Sequence, residues 1–182
     1  MAETGNEPVK PTTGEVQRSG TVKLKKGDLV PNISLSSTSG RSVDLGVEAG
    51  ERHLILFFYP GDTVGQRYAE LSGCTPEARE FRDLLTQFQG LNASVFGINL
   101  NTPERQRQFV DREHLPFELL SDSSKRLVSM WGIPLWTSKS GEEFVSRFTV
   151  VIQKGGVIAE IYDVTSVPGH VETVLERVRS LS

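Results

Sequence analysis

Residues 53–60 read HLILFFYP and residues 73–83 read GCTPEAREFRD. The first segment is a near-continuous apolar run stopped by Pro60, the pattern of a strand buried on both faces. The second predicts a helix over 75–89, with Thr75 as its cap and Pro76 at its first position. Ala78, Phe81, Leu84, Leu85 and Phe88 form one apolar stripe along it, and Gly90 is its stop signal. Between strand and helix runs a polar loop, and Cys74 stands immediately before the expected cap.

The same alternation continues on either side. Residues 32–36 and 42–45 read as short strands around a Ser39-Gly40 turn, and 93–100 as a second buried strand. Thr102-Pro103 opens a polar helix reaching Glu113. Residues 117–120 suggest a short strand, after which Ser121 and Asp122 cap a helix through Trp131. Residues 144–152 and 157–162 are expected as strands joined by a Gly155-Gly156 hairpin turn. A last helix carries Val171, Val174, Leu175 and Val178 on one face. Strands interleaved with helices and closed by a hairpin and helix predict an α/β domain in three layers, a mixed sheet sandwiched by helices.

A chain of 182 residues suits one domain. We expect it to occupy residues 21–182, behind a polar tail of residues 1–20 whose composition suggests disorder. The tail has no apolar core to mark a secretory signal, and no segment approaches the ~20 apolar residues of a membrane span. Twenty basic against 23 acidic residues give a net charge of −3, which offers no case for nucleic acid or an anionic membrane. Lys23, Lys25 and Lys26 alternate with apolar residues and read as the wet face of a strand. One cysteine cannot form an internal disulfide, so the cytoplasm is the default location.

Position alone leaves Cys74 open to two readings. It is either a small buried hydrophobe or a reactive thiol, whose charged form the free N–H groups and dipole of a helix N-terminus stabilise. Gly73, Thr75 and Pro76 favour the second, because an apolar filler needs no loop-to-helix junction. A thiol there should titrate well below the ~8.5 of free cysteine, more so beside an arginine.

The segments FFYP (57–60), GCTPEAREFRD (73–83), LLSD (119–122) and RFTVVIQKGG (147–156), in this order, resemble the peroxiredoxins. The similarity is strongest to the peroxiredoxin Q or bacterioferritin-comigratory group, and to redoxins with a lengthened active-site loop. It extends from about residue 23 to 181. The resemblance implies a thioredoxin-like fold and a thiol peroxidase acting on hydrogen peroxide or organic hydroperoxides. Cys74 then corresponds to the peroxidatic cysteine, oxidised to a sulfenic acid. Arg147 corresponds to the arginine placed over the thiolate, in place of an ordinary surface ion pair. Pro60 corresponds to the proline that shields the thiolate from water.

Two departures matter. The family spaces proline, three residues, threonine, two residues and cysteine, whereas Pro60 precedes Cys74 by fourteen positions and Leu71 occupies the threonine position. Thr63 is the best candidate for the missing hydroxyl, with Ser72 and Thr75 behind it; otherwise Thr63 is a turn residue. The position of a resolving cysteine in many relatives is Arg79 here. An external thiol must then reduce the sulfenic acid: thioredoxin, glutaredoxin or a low-molecular-weight thiol. The alternative is a Cys74–Cys74 disulfide between subunits, and the chain is expected as a monomer or homodimer. No cofactor is implied, and His53, His114 and His170 lack metal spacing. Trp131 and Trp136 suit core packing or a dimer contact better than a patch at the site. The rival functions are a non-catalytic redox sensor or binding protein, and a thioredoxin-fold protein whose long loop has ended peroxidase activity.

Overall fold

The computed structural model describes residues 14–181. Its elements follow in order as β1 (Val16–Ser19), β2 (Ser34–Ser37), β3 (Ser42–Asp44), α1 (Leu45–Glu51) and β4 (His53–Phe58). Next come α2 (Cys74–Gly90), β5 (Ala93–Asn99), α3 (Pro103–Glu113), β6 (Leu119–Ser121), α4 (Arg126–Trp131) and β7 (Leu135–Ser138). The chain ends with β8 (Glu143–Val145), β9 (Phe148–Gln153), β10 (Val157–Asp163) and α5 (His170–Arg179).

A mixed sheet of seven strands, ordered β10-β9-β4-β5-β6-β2-β3, forms the middle layer. β4 lies at its centre, parallel to β5 and antiparallel to β9, and all six of its residues are buried. Alternation along this strand divides the core. Leu54, Leu56 and Phe58 face α1 and α4, while Ile55, Phe57 and Tyr59 face α2, α3 and α5. Phe57 stacks on Phe81 of α2 with ring centroids 4.6 Å apart, and burying such a side chain contributes about 1.5–3 kcal/mol. The layered α/β architecture expected from the sequence is present.

Several boundaries differ from expectation, each for a local reason. α2 begins at Cys74, not after a Thr75 cap, because Gly73 at φ 108° makes the turn and its carbonyl accepts from the Glu77 N–H. Pro76 is tolerated in the first turn, where N–H groups have no helical partner. α3 starts as expected, with Thr102 accepting from the Arg105 N–H. The helix expected after Asp122 is shorter, yet Asp122 still serves it, accepting from the Leu127 and Val128 N–H groups. The strand expected at 117–120 is shifted to β6. The glycine-interrupted α1 was not foreseen; Asp44 caps it through the Val47 N–H.

The strand expected over 144–152 is two strands, β8 and β9, interrupted at Ser146 and Arg147. The expected tail is also corrected at its end. β1 pairs antiparallel with β7, which pairs with β8 in a separate three-stranded sheet. Residues 1–13 lie outside the described residues. Lys23, Lys25 and Lys26 are exposed but sit in irregular chain rather than on a strand. Gly155 and Gly156 make the expected hairpin turn, with φ values of 107° and 96°.

Candidate active site

Three chain segments converge at one end of α2. The first is the N-terminus of α2, which opens with Cys74. The second is the β8–β9 break, which frees Arg147 from the strand ladder. The third is the loop of residues 61–73, which leaves the end of β4 through Pro60.

Arg147 Nη2 lies 3.2 Å from Cys74 Sγ and 2.9 Å from the Ser72 carbonyl, while Nη1 lies 2.8 Å from Glu77 Oε1. Glu77 is fully buried, three residues beyond Cys74 and so on the same helix face. One planar guanidinium thus binds sulfur, carboxylate and backbone together, a geometry that lysine could not reproduce. Gly73 lies directly beside it. A Cβ there would lie 3.6 Å from Arg147 Nη2 and only 3.0 Å from Val167 Cγ2.

Cys74 is 3% exposed. Burial pushes its thiol up, against the pull of the Arg147 charge, a hydrogen bond from the Gly61 N–H and one from Arg147; Glu77 pushes it up further. The net direction is upward, which corrects the expectation of a strongly depressed thiol. The enclosure removes more stabilisation from the thiolate than these partners return. Burial likewise pushes the Glu77 carboxyl up to about 7, with Arg147 pulling against it. His170 Nε2 lies 2.9 Å from Thr149 Oγ1. Burial, then the Arg147 charge, pushes this imidazole down to about 4, so it is neutral near pH 7.

Two cavities flank the segment Leu71–Gly73. One of about 710 Å³ is lined by Cys74 itself with Gly61, Gln66 and Thr75. The other, about 750 Å³, reaches Arg147 past Pro60, Trp136 and Val167. The long loop over them is firmly docked. It forms two short 3-10 turns, Val64–Gln66 and Ala69–Leu71. Val64 and Leu71 bury themselves against Val16 and Phe144, with Tyr68 and Trp136 at the edge.

The model of the AhpC/TSA family matches residues 26–161. The chain belongs to that family. It is 31% identical over 174 residues to a chloroplastic peroxiredoxin Q of Populus jackii, covering 94% of this chain and 76% of the relative. It is 28% identical to the peroxiredoxin Bcp of Bacillus subtilis, covering 87% and 98%. Among solved structures, the peroxidoxin BcpB of Mycobacterium tuberculosis superposes with a TM-score of 0.75 at 27% identity, covering 87% of this chain and 99% of that one. This AhpC/TSA protein is a peroxiredoxin with a thioredoxin fold, a thiol peroxidase that takes a peroxide and a thiol reductant.

Of the residues singled out from the peroxiredoxin pattern, Cys74 and Arg147 are in direct contact. Pro60 is buried at the end of β4 and lines the cavity that reaches Arg147. Thr63 is not on the sulfur: its hydroxyl accepts from Arg105 Nη2 at 3.2 Å. The Ser72 hydroxyl donates to the Ala69 carbonyl. Among the described residues no hydroxyl bonds Cys74; Arg147 donates to its sulfur, which lies 3.8 Å from the Leu71 carbonyl. Of the histidines, His53 Nδ1 accepts from the Lys154 N–H and His114 ends α3 in a left-handed turn. Trp131 packs in the core and Trp136 lines the Arg147 cavity. No helix among the described residues is long and apolar enough to cross a membrane.

Sequence reading missed Glu77 and Gly61. Glu77 had a signal, a carboxylate one turn beyond the cysteine on the face that carries Ala78 and Phe81. Gly61 had none, because a backbone N–H leaves no mark in residue identity.

Proposed function

We propose that this peroxiredoxin works by a one-cysteine cycle at Cys74. The observation that supports it best is the 3.2 Å contact between Arg147 Nη2 and Cys74 Sγ, with the same guanidinium held by Glu77. The Cys74 thiolate attacks the terminal oxygen of a peroxide and the O–O bond breaks. Water or an alcohol leaves after taking a proton, and Cys74 becomes a sulfenic acid. Arg147 stabilises the thiolate and then the negative charge moving onto the peroxide oxygens. Pro60 and the docked loop keep bulk water from the sulfur.

Cys74 is the chain's only cysteine, so resolution falls to an external thiol. That thiol condenses with the sulfenic acid, releasing water and leaving a mixed disulfide. A second thiol then frees Cys74 and leaves as the oxidised disulfide. Thioredoxin, glutaredoxin and low-molecular-weight thiols are the candidate reductants. The substrates are hydrogen peroxide and organic hydroperoxides, and the protein acts in the cytoplasm as a monomer or homodimer. Thr63 has a supporting role through Arg105, as a loop anchor rather than a sulfur ligand.

The test follows NADPH consumption with peroxide in parallel thioredoxin, glutaredoxin and glutathione systems, for the wild type and Cys74→Ser. Turnover in at least one system, abolished by the substitution, supports the cycle. Oxidation of Cys74 without turnover in any of them indicates a redox sensor and overturns it.

A further inference from the structure

The cavity of about 710 Å³ that Cys74 lines grades from a buried floor to an exposed rim. Gly61, Leu71 and Cys74 are buried, while Gln66, Arg67, Ser72 and Pro76 are exposed. The rim is fastened from both sides. On the loop side, Arg67 Nη1 and Nη2 lie 3.0 Å and 3.2 Å from the two carboxylate oxygens of Glu142, in the β7–β8 connection. The first 3-10 turn packs so closely on the end of the second that a Cβ on Gly65 would lie 2.6 Å from Ser72 Cα. On the helix side, α2 is tied to the end of α3. Arg79 Nε lies 2.7 Å from Glu113 Oε2, and Arg82 Nη1 donates to the Glu113 carbonyl at 2.8 Å.

A cavity of this size admits a small molecule and not a folded protein. A thiol carried on a folded protein reaches Cys74 only if the rim opens. Opening it breaks the two-point Arg67–Glu142 pair and exposes Val64 and Leu71, which are buried against Val16 and Phe144. We propose that the reductant of this peroxiredoxin is a low-molecular-weight thiol, no larger than a short peptide, that enters this cavity between the docked loop and α2. The proposal rests on the Cys74 sulfenic acid cycle and names its thiol.

The entering thiol sulfur bonds to the Cys74 sulfur as the S–O bond breaks. The departing hydroxide takes the thiol's proton and leaves as water. In the mixed disulfide the Cys74 sulfur stays on the floor and the outer sulfur stands nearer the rim. A second molecule of the same thiol therefore attacks the outer sulfur, Cys74 leaves as thiolate, and the small disulfide diffuses out. The two small thiols supply the two electrons that the sulfenic acid takes up.

Enclosure and exposure predict opposite orders of reactivity. Thioredoxin's thiol, with a pKa of about 7, holds more thiolate at neutral pH than an ordinary thiol of about 8.5, so an open sulfenic acid favours thioredoxin. The experiment oxidises the wild type with one equivalent of hydrogen peroxide. It then times the return of the free thiol with glutathione, free cysteine or reduced thioredoxin at equal thiol concentration. The expected result is faster reduction by glutathione than by thioredoxin. In Gln66→Trp, which narrows the rim, glutathione should slow roughly tenfold while the smaller free cysteine keeps most of its rate. Reduction by thioredoxin at or above the glutathione rate, or equal slowing of both small thiols in Gln66→Trp, overturns the proposal. Should peroxide leave Cys74 unoxidised, the peroxidase cycle fails, and a peroxide-free exchange still decides the route of entry. Reduced Cys74 should then release pyridine thione faster from a glutathione pyridyl disulfide than from the same disulfide carried on thioredoxin; equal or reversed rates overturn the proposal.

Discussion

Arg147 reaches Cys74 and Glu77 with the two ends of one guanidinium, at 3.2 Å and 2.8 Å. The thiol and the carboxyl therefore compete for a single buried cation, while burial disfavours the ionised form of each.

Replacing Arg147 by Met removes the main group opposing that burial. The Cys74 midpoint should rise, and oxidation by peroxide should slow by about 10²–10³-fold, the usual cost of losing a donor aimed at developing charge. A thiolate titration with stopped-flow oxidation rates checks both. An unchanged midpoint would remove Arg147 from the site.

The raised Glu77 carboxyl makes stability depend on pH. Its folded pKa of about 7 lies above the usual 4.5 of a glutamate, so the folded state holds the proton more tightly. The resulting stabilisation is fully present below about 4.5 and is lost as pH rises through about 7. His170 works the other way. Its folded pKa of about 4 lies below the usual 6.5, so its contribution is lost as pH falls through that window. Thermal melts of Glu77→Gln should lack the wild-type decline toward neutral pH, and those of His170→Gln should lack part of the decline toward acid. Identical pH profiles in wild type and Glu77→Gln would contradict the carboxyl's placement.

Gly73 is required on two counts, its φ of 108° and the 3.0 Å approach of a Cβ to Val167. Gly73→Ala should strain the start of α2 and press on Val167 beside Arg147. The expected outcome is a large loss of peroxide reactivity with most of the circular dichroism retained. Full reactivity would mean that the junction relaxes without moving Arg147.

The second sheet serves the loop. Leu71 is 1% exposed among Val16, Val64 and Phe144, and its carbonyl lies 3.8 Å from Cys74 Sγ. Leu71→Ala should cost about 2–5 kcal/mol through cavity formation and speed alkylation of Cys74 by iodoacetamide. A normal melt combined with a normal alkylation rate would show that the loop is held elsewhere.

Much of this was legible in the residues. The runs at 53–59 and 93–100 are apolar enough to demand central strands, and Thr102-Pro103 marks the start of α3 to the residue. Cys74 and Arg147 were found through their setting in recognisable segments, the first beside a helix start and the second at a strand start. What failed shares a cause: it depends on contacts distant in sequence. β1 is a strand only because β7 lies beside it, and 144–152 breaks in two only because Ser146 bonds Pro134 and Arg147 bonds Ser72. Thr63 was the natural hydroxyl by spacing, yet Arg105, 42 residues away, captures it. The upward shift of Cys74 follows from enclosure by a loop whose packing no local pattern records.

The most direct test treats the reduced protein with one equivalent of hydrogen peroxide in the presence of dimedone and follows it by intact mass and peptide mapping. A one-cysteine peroxidase predicts a single dimedone adduct on Cys74, no adduct in Cys74→Ser, and no disulfide-linked dimer on a non-reducing gel without dimedone. A Cys74 thiol that stays unmodified while the protein remains folded, or one that passes directly into an intersubunit disulfide, would contradict it.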